Sequence, residues 1–257
     1  AIDLRETGKY DEAIDLLLYQ KQQSPKDPNI LALLSHCYIL NDNPDQAKIY
    51  LDSAKDINSK IASIGWNETR LLLKQGKVSE AIVIAQRTNK LFPDDVEGMG
   101  ILGSCFRASG SFDESLKYLN SAIEINPNHA EALINRSLIY LNKKDKTNAL
   151  TDLEKAHHLK PHIKQIWHLI LNLKMETKEF ENTISLAEEM VKLDPVDEKA
   201  FAIIALCYQN LKNHDQAVIF YNKALSINPD FTEFWVNLGS ALKEQGKLDE
   251  AIEAYTK

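Results

Sequence analysis

Glycine and proline are scarce in this chain: 9 Gly and 8 Pro among 257 residues, where average usage gives roughly 18 and 13. A β-sandwich or barrel needs a turn signal every ~8–12 residues, and collagen-like or disordered chains are rich in Gly or Pro. Both classes are excluded. Long apolar runs are also missing. Residues 30–40 and 166–173 are the strongest candidates, and neither approaches the ~18 residues of a membrane-spanning helix. The amino terminus lacks a basic-then-apolar leader, although the chain begins at Ala1 rather than Met, so an upstream part is expected. Nor is there an excess of positive charge. Against 37 Asp and Glu stand 30 Lys and Arg, a net charge of −7, and general nucleic-acid binding needs a basic face. What remains is an all-α chain of long helices, expected in the cytoplasm.

What is present is a period. Pro93, Pro127, Pro161, Pro195 and Pro229 are spaced 34 residues apart, and Pro25 belongs to the same series with Ser59 in the skipped slot. Alanines keep the same beat at Ala13, Ala47, Ala81, Ala149, Ala217 and Ala251, with Ser115 and Thr183 in the two remaining places, and Ala54, Ala122, Ala156 and Ala224 form a second series. A fixed period of this length is the mark of a repeat architecture. Within each repeat, apolar residues recur at helical spacing in two stretches separated by a short polar turn. The closing proline cannot extend the preceding helix but is tolerated in the first turn of the next. Each repeat is therefore predicted to be a helical hairpin.

The segment from Phe234 to Tyr255 carries Trp235, Leu238, Gly239, Leu242, Gly246, Ala251 and Tyr255 at spacings that resemble the tetratricopeptide repeat. The resemblance runs through the whole chain as a single array, 1–257. Its repeats fall at 28–61, 62–95, 96–129, 130–163, 164–197 and 198–231, with partial ones at 1–27 and 232–257. It implies a right-handed superhelical solenoid of antiparallel helix pairs. It also implies a protein-interaction scaffold that takes a peptide or partner protein in a concave groove lined by the first helix of each repeat. The ends fall inside helices and carry no polar cap, which is expected of a segment of a longer array. The resemblance, through the near-consensus last repeat, a partial asparagine ladder and the truncated C-terminus, also implies an alternative, the substrate-recruiting part of a larger enzyme such as a glycosyltransferase or sulfotransferase, and the uncapped ends suggest another, self-association.

Family groove positions hold apolar Ile39, Trp66, Leu73, Ile134, Leu138, Leu141, Met175 and Leu206, and polar His36, Asn67, Arg70, Ser104, Arg107, Asn135, His168, Asn172 and Asn237. The resemblance suggests two known groove devices, and both are incomplete. No three consecutive repeats supply the chaperone-tail carboxylate clamp; His168 and Asn172 come nearest, but Ile203 stands where Asn is required. The asparagine ladder of O-GlcNAc transferases fits at Asn67, Asn135 and Asn237 and is broken by Ile101, Leu169 and Ile203.

The least regular stretch is 62–129. Gly65 replaces an expected large residue, Trp66 is displaced by one position toward the groove, and Glu68 occupies a usually apolar slot. Gly98 and Gly100 add about 1 kcal/mol each to the cost of their helix relative to Ala; Gly103 is expected by the repeat. Two arrangements are open. Trp66, Asn67, Arg70, Leu73, Gly100, Ser104 and Arg107 form a ligand-contact patch, in which Gly100 lets a partner approach the backbone and Arg70, Lys74 and Arg107 favour an acidic one. Otherwise Trp66 folds into the space left by Gly65 and Gly100. Asn135, Leu138, Leu141, His168, Asn172 and Met175 extend the candidate groove.

Other motifs fail on context. Gly98 to Gly103 matches G-x-G-x-x-G, yet a dinucleotide fingerprint follows a strand, and here an inter-repeat turn with Pro93 precedes it. His157, His158 and His162 are separated by Pro161 and lack further ligands for a metal. Cys37, Cys105 and Cys207 share one repeat position and lie whole repeats apart, too far for disulfides. No nucleophile–base set or paired-carboxylate pocket is identifiable. No enzyme activity, cofactor or metal is expected.

Overall fold

A computed structural model describes all residues 1–257. Sixteen helices and no strands account for the ordered chain. A short α1 (Ile2–Glu6) and α2 (Tyr10–Gln23) precede seven helix pairs: α3 (Pro28–Leu40) and α4 (Pro44–Ile57), α5 (Ala62–Lys74) and α6 (Val78–Leu91), α7 (Val96–Ala108) and α8 (Phe112–Ile125), α9 (Ala130–Asn142) and α10 (Lys146–Leu159), α11 (Lys164–Glu176) and α12 (Phe180–Leu193), α13 (Glu198–Asn210) and α14 (His214–Ile227), α15 (Thr232–Glu244) and α16 (Leu248–Tyr255). First helices of successive pairs begin 34 residues apart throughout, at 28, 62, 96, 130, 164, 198 and 232. The molecule divides between Ile163 and Lys164 into two compact units, each described by itself.

The turn inside each hairpin explains the regularity. Gly8, Gly76, Gly110 and Gly246 have positive φ, and so do Asp42, Lys144, Lys178 and Lys212 at the same place in the other repeats. A left-handed residue after a helix lets the next N–H reach back five residues, closing a Schellman turn: Lys77 N donates to Leu72 O at 2.9 Å, Asp145 N to Tyr140 O at 2.8 Å, and Asn213 N to Tyr208 O at 2.8 Å. Between hairpins, the side chains of Asp27, Asp95, His129 and Asp197 accept first-turn N–H groups of α3, α7, α9 and α13, supplying partners the helix itself cannot.

In the first unit, 1–163, the cores lie between paired helices. The alanine series is the point of closest approach: Ala13, Ala47, Ala81 and Ala149 are fully buried. Ser115, which takes this slot in α8, is equally buried and donates its hydroxyl to Gly103 O at 2.6 Å, so the polar group costs little. Arg136 occupies an apolar-type slot of α9, where Asp152 neutralises it through two bonds of 2.8 Å and Asn120 Oδ1 accepts a third. In the second unit, 164–257, one core gathers Trp167, Leu171, Ala187, Met190 and Ile204, and another gathers Phe201, Ala217, Tyr221, Phe234 and Leu238. Cys37, Cys105 and Cys207 are buried thiols; burial pushes Cys105 and Cys207 up to about 12.

Candidate functional site

The first unit contains a cavity of about 780 Å³ on the face made by its first helices. Leu33, His36 and Ile39 of α3, Trp66, Asn67, Arg70 and Leu73 of α5, and Glu131 and Ile134 of α9 line it, with Asp95 and Glu97 at the start of α7. Arg5, Glu6 and Tyr10 close one side together with Lys160 and His162. There the Lys160 ammonium pairs with Glu6, and Gly8 sits where any Cβ would strike the His162 ring.

Arg70 is the hub of this surface. Its guanidinium pairs with Glu97 and reaches Glu131 Oε2 at 3.1 Å. Desolvation works against its charge, but the two carboxylates outweigh it and hold the pKa above the ordinary value. The spacing has a repeat-level reason: Arg70 is the ninth residue of its repeat, and Glu97 and Glu131 are the second residues of the next two. His129 Nδ1 accepts Ala132 N–H at 3.2 Å, so its ring proton sits on Nε2, 3.4 Å from Glu97 Oε2. Across the cavity Arg5 Nη1 lies 3.0 Å from His36 Nδ1. A guanidinium only donates, so His36 accepts and is neutral. Enclosure and the nearby charges of Arg70 and Arg5 agree, holding His36 well below the usual imidazole range.

Several residues expected to form a ligand patch are engaged within the protein instead. Trp66 is 2% exposed and donates Nε1–H to Asp95 Oδ2 at 2.8 Å, so it belongs to the core and presents little surface. Its ring lies under Gly98, where a Cβ would come within 2.1 Å of Trp66 Cζ2. Gly100 is buried as well, and the space its missing side chain leaves is taken by the His129 ring, 2.7 Å from where a Cβ would stand. It gives no partner access to the backbone. Asn67 is buried and spends its amide on Ala32 O at 2.7 Å. Ser104 and Arg107 both donate to Asn135 Oδ1, at 3.4 and 2.8 Å, while Asn135 Nδ2 donates to Glu131 O at 2.9 Å. The amides of Asn67 and Asn135 are thus committed within the protein, and Ser104, Arg107 and Asn135 form a knot beside the cavity. Leu138 and Leu141 are half-buried on α9. The cations expected to attract an acidic partner are also engaged: Arg70 by two glutamates, and Lys74 by Asp42 at 2.7 Å.

In the second unit, His168 Nε2 lies 3.1 Å from Asp197 Oδ2, Asn172 is exposed, and half-buried Met175 accepts a contact from the Cys207 thiol. Of the predicted patch, the cavity brings together Trp66, Asn67, Arg70 and Leu73. The sequence pattern does not mark Arg5, Glu97, His129, Glu131 and Lys160, which also line the cavity. Glu97 and Glu131 were visible in principle, since both occupy the second position of a first helix, one of the family groove positions.

Comparisons with known proteins agree with the hairpins. Family models described as tetratricopeptide repeat match residues 4–62, 68–130 with 107–162, 198–231 and 220–253. The BBSome complex member BBS4 of Bos taurus is 23% identical over 248 residues, covering 96% of this chain and 48% of the relative. A peroxisomal targeting signal receptor of Candida albicans is 25% identical over 224 residues, covering 82% of this chain and 36% of the receptor. The chain thus spans less than half the length of these curated relatives. Among solved structures, the APC/C hetero-tetramer Cut9-Hcn1 superposes over 93% of this chain and 47% of its own with a TM-score of 0.74 at 17% identity, and MamA over 60% and 91% with a TM-score of 0.56 at 23% identity. At these identities the structural likeness speaks for the fold alone. With repeat models matched along most of its length and the 34-residue hairpin kept from α3 to α16, the chain belongs to the tetratricopeptide repeat family.

Proposed function

We propose that this chain is a protein-interaction scaffold whose first unit takes an extended segment of a partner protein in the cavity faced by α3, α5 and α9. The observation that carries this reading is the cavity itself: about 780 Å³, with apolar Leu33, Ile39, Leu73 and Ile134 set among bonded polar groups. Apolar side chains beside fixed hydrogen-bonding groups suit a peptide, whose side chains need apolar pockets and whose backbone needs polar partners. Charge narrows the choice. Arg5, Arg70, Lys74 and Lys160 in the lining are matched by Glu6, Asp95, Glu97 and Glu131, so a segment of low net charge fits better than an acidic one. The relatives named above are a complex member and a receptor, which favours a scaffold over the recruiting part of an enzyme.

Panning a random-peptide display library on the folded chain tests this. Enriched peptides are expected to be apolar with few charges, and to lose at least about tenfold in affinity on Ile134→Glu, by roughly the 1.4 kcal/mol that makes a factor of ten. Ile49→Glu, on the exposed side of α4, leaves binding intact. Circular dichroism verifies folding of both variants. Equal loss in the two, or loss only with Ile49→Glu, contradicts the reading.

A further inference from the structure

Two departures from the repeat meet at one place outside the cavity. The fourth residue of the first helix is large in six repeats, as Leu31, Met99, Leu133, Trp167, Phe201 and Trp235, and is glycine only at Gly65. The seventh is mostly apolar, and in α5 it is Glu68. Gly65 and Glu68 line a second pocket of about 280 Å³ between α4, α5 and α6. Thr88 leans into the space of the missing side chain, so close that a Cβ on Gly65 would lie 2.2 Å from its Oγ1, yet it leaves the pocket open.

The walls are Ile61, Ile64, Ile84, Leu91 and Phe92. Leu91 is 63% exposed, an apolar lip rather than a core residue. The rim is charged and unequal. Lys55 from α4 pairs with Glu68 at 2.5 Å. Arg87 from α6 is exposed on the same rim, where the Glu68 carboxylate is already taken by Lys55. Elsewhere a charged residue in the seventh position is fully answered, as Arg136 is by Asp152; here the pairing of Lys55 with Glu68 leaves one positive charge over. The pocket is too small for a helix or a peptide backbone and large enough for one apolar side chain.

We propose that this pocket is a second, independent docking site, which takes a single leucine- or phenylalanine-sized side chain of a partner protein with an acidic residue next to it in sequence. The apolar group enters the pocket beside Thr88, against Ile61, Ile84 and Leu91, and the carboxylate meets the Arg87 guanidinium, the cation best shaped for it. The site lies outside the concave cavity, so it stands or falls separately from the function proposed above.

The test uses the full chain, isotope-labelled for NMR, titrated with N-acetyl-Leu-Asp-amide, with N-acetyl-Leu-Asn-amide and N-acetyl-Ala-Asp-amide as controls. The expected result is saturable shifts of the Gly65, Glu68 and Thr88 amides, strongest with Leu-Asp. A preference for Asp over Asn of about three- to fivefold is the size expected of a partly exposed ion pair. Arg87→Gln, at an exposed position, abolishes that preference while Leu-Asn binding persists; Leu91→Ala weakens both leucine probes. Shifts that do not saturate, that map to other residues, or that show the same Asp preference in Arg87→Gln overturn the proposal.

Discussion

Gly98→Ala decides between two physical accounts of the glycines in α7, because they predict opposite signs. If Gly98 were an open helical position, alanine would stabilise the helix by about 1 kcal/mol through propensity. In the structure the new Cβ would stand 2.1 Å from Trp66 Cζ2 and 2.7 Å from Cε2. The indole has little room to yield. It is 2% exposed, and it is held by its bond to Asp95, whose other oxygen caps α7 by accepting the N–H groups of Glu97 and Gly98. Overpacking a filled site costs about 1–3 kcal/mol, and loosening the indole bond adds about 1 kcal/mol. Against the propensity gain, the net loss is about 1–3 kcal/mol, a fall of roughly 2–12 °C in Tm for a body of this size. Thermal and urea unfolding followed by ellipticity at 222 nm measures it. A double-mutant cycle isolates the cause: in a Trp66→Leu background, where the ring is gone, Gly98→Ala becomes neutral or stabilising. A rise in Tm on Gly98→Ala alone would refute the packing account and restore α7 as an open surface.

Two further predictions concern the hairpin turns and pH. No atom lies within 4 Å of a Cβ built on Gly76, yet its φ is +73°, so Gly76→Ala costs only backbone strain, a net of about 0.5–1 kcal/mol after the stiffening of the unfolded chain. Lys144, at φ 62° in the equivalent turn, gives the mirror experiment: Lys144→Gly stabilises by a similar amount, and urea midpoints moving in the same direction for both variants would count against the shared-turn reading. His36 is held below the ordinary imidazole value of about 6.5, by enclosure first and then by Arg70 and Arg5, with Glu97 opposing. Its folded pKa is depressed, so its stabilising contribution is complete above pH 6.5 and is lost as pH falls below that value and the unfolded state takes up the proton. Denaturant midpoints measured from pH 7.5 to 5.5 therefore fall less steeply in His36→Gln than in the natural sequence; parallel slopes contradict the assignment.

The architecture was largely legible because the repeat writes it many times over. Prolines and alanines at one spacing locate every hairpin, and a slot that is glycine in four turns remains a left-handed turn where Asp42, Lys144, Lys178 and Lys212 replace it. The candidate site was less legible, because its determinants are relations between distant residues. Gly98 and Gly100 read as breaks in a helix until the rings of Trp66 and His129 are seen to fill the space they leave. Arg70 read as a free cation, whereas its carboxylates come from Glu97 and Glu131, 27 and 61 residues later. Asn67 and Asn135 fitted a ladder of ligand-binding amides, but hydrogen bonding to Ala32 O and Glu131 O consumes those amides. Periodicity assigns a residue to a face; it does not say what already sits there.

The proposed function puts partner binding on the cavity-facing side of the first unit. The most direct measurement is a photo-crosslinking map with a library-selected peptide and a benzoylphenylalanine side chain placed in turn at Leu73, which lines the cavity, and at Ile49, 55% exposed on α4. Efficient, peptide-competable crosslinking is expected from Leu73 and none above background from Ile49. Crosslinking confined to Ile49 would contradict it.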